Sequence, residues 1–141
     1  MGVLSTNLLG TVTYETTIED AGVQFLTHVL SGVQQNPAYY FSVSNSGTKL
    51  FDFSATRGEG STVILNDTFS LTGQVGAGND TKSVTFDKIE LYGGTTPSVG
   101  FIPSDAVLLA SVIFTEEAIT IPQRSTEDTL TITEYFVLYG G

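Results

Sequence analysis

The 141 residues predict an all-β fold, an antiparallel β-sandwich of jelly-roll or immunoglobulin-like type with one short amphipathic helix near residues 18–31. Three observations lead there. Short β-branched and aromatic runs recur along most of the chain, separated by Gly, Pro, Asn and Asp. Only one stretch carries the 3.6-residue periodicity of a helix. The length suits one core, able to bury roughly two-thirds of the surface its unfolded form would expose, so no disulfide or metal staple is required. Residues 1–10 are expected to form an N-terminal arm and residues 11–141 the single sandwich domain.

The elements follow in order. Thr11-Val-Thr-Tyr14 alternates as a strand does. From Thr16 to Ser31, Ile18, Val23, Phe25, Leu26, Val29 and Leu30 fall within an arc of roughly 160° at about 100° per residue, one packing face. Thr16 with Glu19 has capping-box spacing, Asp20 lies in the first turn and Gly32 follows as a stop, so the helix is predicted over about Ile18 to Ser31. Tyr39 to Val43 and Leu50 to Phe53 read as a hairpin about Asn45-Ser-Gly47. Val63-Ile-Leu65 and Phe69-Ser-Leu71 read as one bulged strand or two short ones. Gly73 to Asp80 reads as an exposed glycine-rich loop.

Val84 and Phe86 have the opposite parity to Ile89 and Leu91, which demands a bulge near Asp87-Lys88 if both pairs are to face inward. Val107 to Phe114 is apolar on both parities, as a central strand covered on both sides would be, with the helix as one cover. Ile119-Thr-Ile121 is a short strand. In the last strand Leu130, Ile132, Phe136 and Leu138 share one parity, and Thr131, Thr133, Tyr135 and Tyr139 the other.

Composition narrows the functions. Fifteen acidic against five basic residues give a net charge of −10, which repels phosphate backbones, so no direct nucleic-acid binding is expected. With no cysteine, disulfides, thiolate metal sites and cysteine nucleophiles are excluded. No leader pattern and no apolar run approaching 18 residues is found, and no membrane association is expected. Met1-Gly2 with Thr6 fits the myristoylation pattern formally, but a plain N-terminal arm is the preferred reading.

Candidate chemistry is sparse. His28 is the only histidine and points away from the helix's apolar face, toward solvent. Glu116-Glu117, Glu127-Asp128 and the pair Asp87 and Glu90 are candidate carboxylates for acid/base or Ca²⁺ chemistry, but they read more simply as solvated strand-end charges. Gly73 to Gly78 lacks the Gly-Lys-Thr ending and following helix of a phosphate loop. Asn66 and Asn79 begin N-x-[ST] sequons and are glycosylation candidates. No catalytic, cofactor-binding or metal-binding residue is assigned, and no cofactor is expected. Interface candidates are Val3, Leu4, Leu8 and Leu9 of the arm, together with Tyr39, Tyr40, Tyr135 and Tyr139, since tyrosine combines large contact area with a polar tip.

Several stretches carry a likeness. Asp20 to Gly32 as an early amphipathic helix, then Val84 to Gly94, Leu108-Leu-Ala-Ser-Val112 and Ser125 to Phe136, follow one another in an order that resembles small β-sandwich virion proteins of tailed phages and archaeal viruses. In that group an "I-x-L-Y/F" strand precedes "L-L-A" and a final strand resembling "E-T-L-T-I-T-W". The likeness spans about half the chain. The stretch from Tyr39 to Leu71 departs from it, and Tyr135 stands near the usual tryptophan. The resemblance implies a non-enzymatic virion structural protein (capsid, decoration, turret or tail-associated), located in the virion. Its expected partners are other virion proteins and copies of itself in a homo-oligomer. The alternative is a carbohydrate or receptor-binding sandwich on a virion or cell surface, using loops at Arg57–Gly60, Gly73–Asp80 and Gly93–Pro103. A glycosidase-like enzyme would need two facing carboxylates, drawn from Glu116, Glu117, Glu127 and Asp128.

Overall fold

The computed structural model describes residues 1–6, 9–32, 37–57, 68–76, 82–94, 102, 105–122 and 127–137. In chain order these form β1 (Gly2–Thr6), β2 (Gly10–Tyr14), β3 (Thr17–Ile18), α1 (Asp20–Leu30), β4 (Ala38–Asn45), β5 (Thr48–Arg57) and β6 (Thr68–Gly76). Then come β7 (Val84–Phe86), β8 (Lys88–Gly94), β9 (Val107–Ile113), β10 (Ile119–Ile121) and β11 (Thr129–Val137). Nine strands make one antiparallel sheet in the order β2-β1-β11-β6-β5-β4-β8-β9-β3, and β7 pairs with β10 in a second, two-stranded sheet.

Connectivity forces the large sheet to curl. β2 and β3 lie at its opposite ends, yet only Glu15 and Thr16 separate them in sequence. Three peptide links reach about 10 Å, whereas a flat nine-stranded sheet would hold its edges roughly 38 Å apart at the usual strand spacing. The sheet therefore folds over until its halves face each other across one core, the predicted all-β, sandwich-like architecture. At the seam the Tyr14 ring from β2 meets Phe114, just past β9, edge to face with centroids 5.5 Å apart. The core is built from inward residues of successive strands, including Leu4, Ile132, Leu71, Phe53, Phe41 and Leu91.

The parity problem at Asp87 is solved by a break between two strands in different sheets, where a bulge within one strand was expected. β7 ends at Phe86 and β8 begins at Lys88, and the bend between them leaves Phe86, Ile89 and Leu91 all buried. Phe114 N–H donates to the Asp87 carbonyl at 2.7 Å, carrying the β8–β9 ladder round the bend toward β7–β10. The β4–β5 hairpin turns at Ser46-Gly47, both at positive φ (49° and 83°), the geometry that matches strand twist in two-residue loops.

Four expectations are corrected. Residues 2–6 are not an arm: they form β1, paired on both sides with β2 and β11. The helix runs Asp20–Leu30 without a side-chain cap, because Thr16 bonds to Glu134 instead. It buries Gly22, Phe25 and Leu26, while Val23 and Leu30 are 53% and 55% exposed. Gly22 sets that face, since a Cβ there would lie 2.5 Å from the Leu109 carbonyl oxygen; a close backbone approach outweighs the wheel average. β9 is next to the edge rather than central, and the strand buried on both faces is β4, with Ser42 and Ser44 buried outside and Phe41 and Val43 inside. Gly73 belongs to β6 rather than to a loop, and it lies where the neighbouring Phe53 ring leaves no room for a Cβ, 2.8 Å away. Val63–Leu65 and the rest of the glycine-rich stretch after Gly76 lie outside the described residues.

Candidate functional site

Alternation along β5, β4, β8 and β9 sends one set of side chains into the core and the other to the outer face. The ladders align the outward set in rows: Asp52, Ser42, Glu90 and Ser111 in one, Ser44, Lys88 and Ile113 in the next. Along these rows lies an open groove of about 560 Å³, walled by Ser42, Lys49, Asp87, Lys88, Glu90 and Tyr92. Ile102, Ala106 and Ile113 give it an apolar side.

Its charges are held in place. Lys49 Nζ pairs with Asp52 Oδ2 at 2.9 Å, and Lys88 Nζ with Glu90 Oε2 at 3.5 Å. Tyr92 Oη donates to the same Glu90 oxygen at 3.0 Å. Both Asp87 oxygens accept the Ser46 N–H at 3.2 Å, tying the hairpin turn to the groove. Burial, then the hydrogen bond to Glu90, then the Glu90 and Asp52 charges push the Tyr92 phenol up to about 12, so it stays a donor at neutral pH. Asp52 Oδ1 is buried and takes no hydrogen bond from the described residues. In the lining two carboxylates (Asp87, Glu90) face two ammonium groups (Lys49, Lys88), a balance of zero, and Asp52 stands behind Lys49 as its ion-pair partner.

A second polar cluster lies inside. Glu134 is 2% exposed on the inward parity of β11, where it accepts hydrogen bonds from Thr16 Oγ1 and, at 3.3 Å, from the Met1 ammonium. Burial raises its carboxyl pKa, while Thr16 and the ammonium pull the other way without cancelling the rise. Nearby the Tyr14 hydroxyl is buried without a hydrogen-bond partner among the described residues, its pKa raised by burial and then by the Glu134 charge. These groups close the seam of the sheet.

The predicted interface residues scatter. Leu4 is fully buried, and Tyr39 and Tyr40 are buried too, Tyr40 at 1%, so all three belong to their own chain's packing and not to a free surface. Val3, Leu9 and Tyr135 are half-buried. Leu8, Tyr139, Asn66 and Asn79 lie outside the described residues. His28 is exposed on the last turn of α1, as expected. Glu116 and Glu117 are exposed between β9 and β10; Glu127 is exposed and Asp128 buried just before β11. Among the described residues no group of three or more His, Cys, Asp or Glu side chains could hold a metal ion, and no helix is long and apolar enough to cross a membrane.

Sequence reasoning noted Asp87 and Glu90 but missed Lys49, Asp52 and Tyr92. The spacing of Lys88, Glu90 and Tyr92 at every second residue was the available signal; their meeting with Asp52 needed the strand order. No protein-family model matches the chain, and neither the curated proteins nor the solved structures compared with it give a match.

Proposed function

We propose that the chain is a non-enzymatic structural subunit of a virion, of capsid, decoration, turret or tail-associated type, working through contacts with copies of itself and with other virion proteins. The observation that carries this reading is the sheet edge at β2. Its five residues, Gly10-Thr-Val-Thr-Tyr14, pair only with β1 among the described residues and contain no lysine, proline or bulge. Monomeric β-proteins usually blunt such edges, because unpaired N–H and C=O groups template association. At the sheet's other end β3 covers only Ala110 and Ser111 of β9, and beyond them Ile113 is 58% exposed. The low share of charged residues, 14%, supports close packing of like subunits. The pattern likeness of Asp20–Gly32, Val84–Gly94 and Ser125–Phe136 to virion proteins supplies the setting. Each carboxylate of the groove is already engaged by a lysine, a phenol or a backbone N–H, which suits fixed binding groups better than a poised acid/base pair.

Light scattering on the purified chain tests the reading. A discrete oligomer is the expected result, and a monomer that never associates as concentration rises would overturn it.

A further inference from the structure

We infer that the outer-face groove of β5, β4, β8 and β9 binds a neutral saccharide. This role is separate from the assembly role and does not depend on it. It also differs from sugar recognition by the loops at 57–60, 73–80 and 93–103 in that most of its polar walls, Ser42, Lys49, Lys88, Glu90 and Tyr92, are strand residues fixed by two ladders, the 93–103 loop contributing only the apolar Ile102 among the described residues.

The chemistry of the lining selects the ligand class. The groove's volume, about 560 Å³, falls within the roughly 300–1,000 Å³ of small-molecule sites. It is dense in directional groups: the Ser42 hydroxyl, the Lys49 and Lys88 ammoniums and the Asp87 and Glu90 carboxylates converge on one space. Yet its charge is nearly balanced, since Lys49 and Lys88 are each paired with a neighbouring carboxylate. A phosphorylated or sulfated ligand would meet two lysines already paired with carboxylates, on a chain of net charge −10. A cationic peptide would be opposed by the two lysines. A divalent cation lacks a ligand set among the described residues, and an apolar ligand would strand the polar walls. A sugar fits all these conditions. Its hydroxyls both donate to carboxylates and accept from lysines, as a vicinal diol does best, and its C–H face can lie on Tyr92 and on the exposed Ile113 wall.

The test is a two-dimensional amide NMR titration of the intact chain with neutral trisaccharides: maltotriose, cellotriose, mannotriose and N,N′,N″-triacetylchitotriose. The expected result is saturable shifts confined to residues 42–49, 87–92 and 113 for at least one sugar, with a dissociation constant on the order of 1 mM or tighter. Glu90→Gln should weaken that binding about tenfold by removing the charged acceptor while keeping its shape. Should Glu90→Gln fail to give a dispersed spectrum, Ile113→Lys serves instead. Its site is exposed and tolerant, and losing the apolar wall should weaken binding by about the same factor. A parallel arm measures retention on the matching immobilised polysaccharide: retention with weak trisaccharide binding assigns a surface glycan as the source, and the reverse assigns a free sugar. The inference is overturned if no neutral sugar shifts the groove at about 20 mM, twentyfold above that dissociation constant. It is equally overturned if shifts appear elsewhere, if a sulfated trisaccharide binds more tightly, or if the variant that folds binds as the wild type does. None of these outcomes bears on the oligomer mass that tests the assembly role.

Discussion

Glu134 takes an inward position on β11 that alternation reserves for Leu130, Ile132 and Phe136, and burial raises its carboxyl pKa above the ordinary 4.5. A carboxyl whose folded pKa exceeds its unfolded value holds its proton longer in the native state. Between the two values the native state binds more protons, so unfolding free energy falls as pH rises. The contribution is favourable below the ordinary carboxylate value and is lost as pH climbs through the raised folded one. Glu134→Gln removes this titration, so the melting temperature of the variant minus that of the wild type should grow as pH rises from about 4.5. Parallel melting curves would show that Glu134 does not titrate in that window. Strand parity alone sets Glu134 in line with Leu130, Ile132 and Phe136, but the local run Thr-Glu-Tyr offers a buried carboxyl no partner. Its partners, Thr16 and the Met1 ammonium, stand 118 and 133 residues away in sequence.

At the scale of elements, the helix and the open edge carry the consequences. Gly22 lets α1 approach Leu109 so closely that Glu19 N–H bonds the Leu109 carbonyl at 3.0 Å. Helix propensity alone would make Gly22→Ala stabilising by about 1 kcal/mol. Forcing a methyl against strand backbone costs about 1–3 kcal/mol. Backbone cannot step aside as a flexible side chain can, so a net loss of up to about 2 kcal/mol is expected in urea unfolding, and a gain would show that helix and strand part easily. At β2, Thr11→Lys with Thr13→Lys places charge on exposed positions along the open edge, the device by which monomeric β-proteins protect themselves. The expected outcome is a shift of the light-scattering mass toward monomer with the melting temperature kept within a few degrees. Unchanged assembly would exclude this edge as the contact. Helix existence, the parity switch at Asp87 and the β4–β5 hairpin were legible because each is written in local periodicity or turn residues, whereas the division of that segment between two sheets was not. The exposed Val23–Leu30 stripe was not, because the choice between two similar helix faces fell to Gly22 and a strand distant in sequence.

For the whole molecule, the decisive feature is a nine-stranded sheet whose ends are joined by two residues. Tyr14 against Phe114, and Phe114 against Phe86 at 6.3 Å, are the aromatic contacts at that closure. Removing a half-buried phenylalanine there should cost about 2–3 kcal/mol, below the 3–5 of a fully buried one. Phe114→Ala should also open the seam before the rest of the sheet. Hydrogen exchange is expected to speed up in β2 and β3 while β4, β5 and β6 stay protected. Uniform acceleration would mean that the curled sheet unfolds as one unit and that the seam is no weaker than its middle.

Local chemistry was enough to read the fold class, most strand positions, the single helix and the inward parity of most core residues, because period-two and period-3.6 burial act over a few neighbours. Which strands lie side by side was beyond that range. Strand order turned the supposed arm into β1, buried Leu4, Tyr39 and Tyr40, and carried Lys49, Ser42, Glu90 and Tyr92 from three strands into one groove. Pairing partners are selected by the closure of the whole sheet around a shared core, and no window of neighbouring residues contains that constraint.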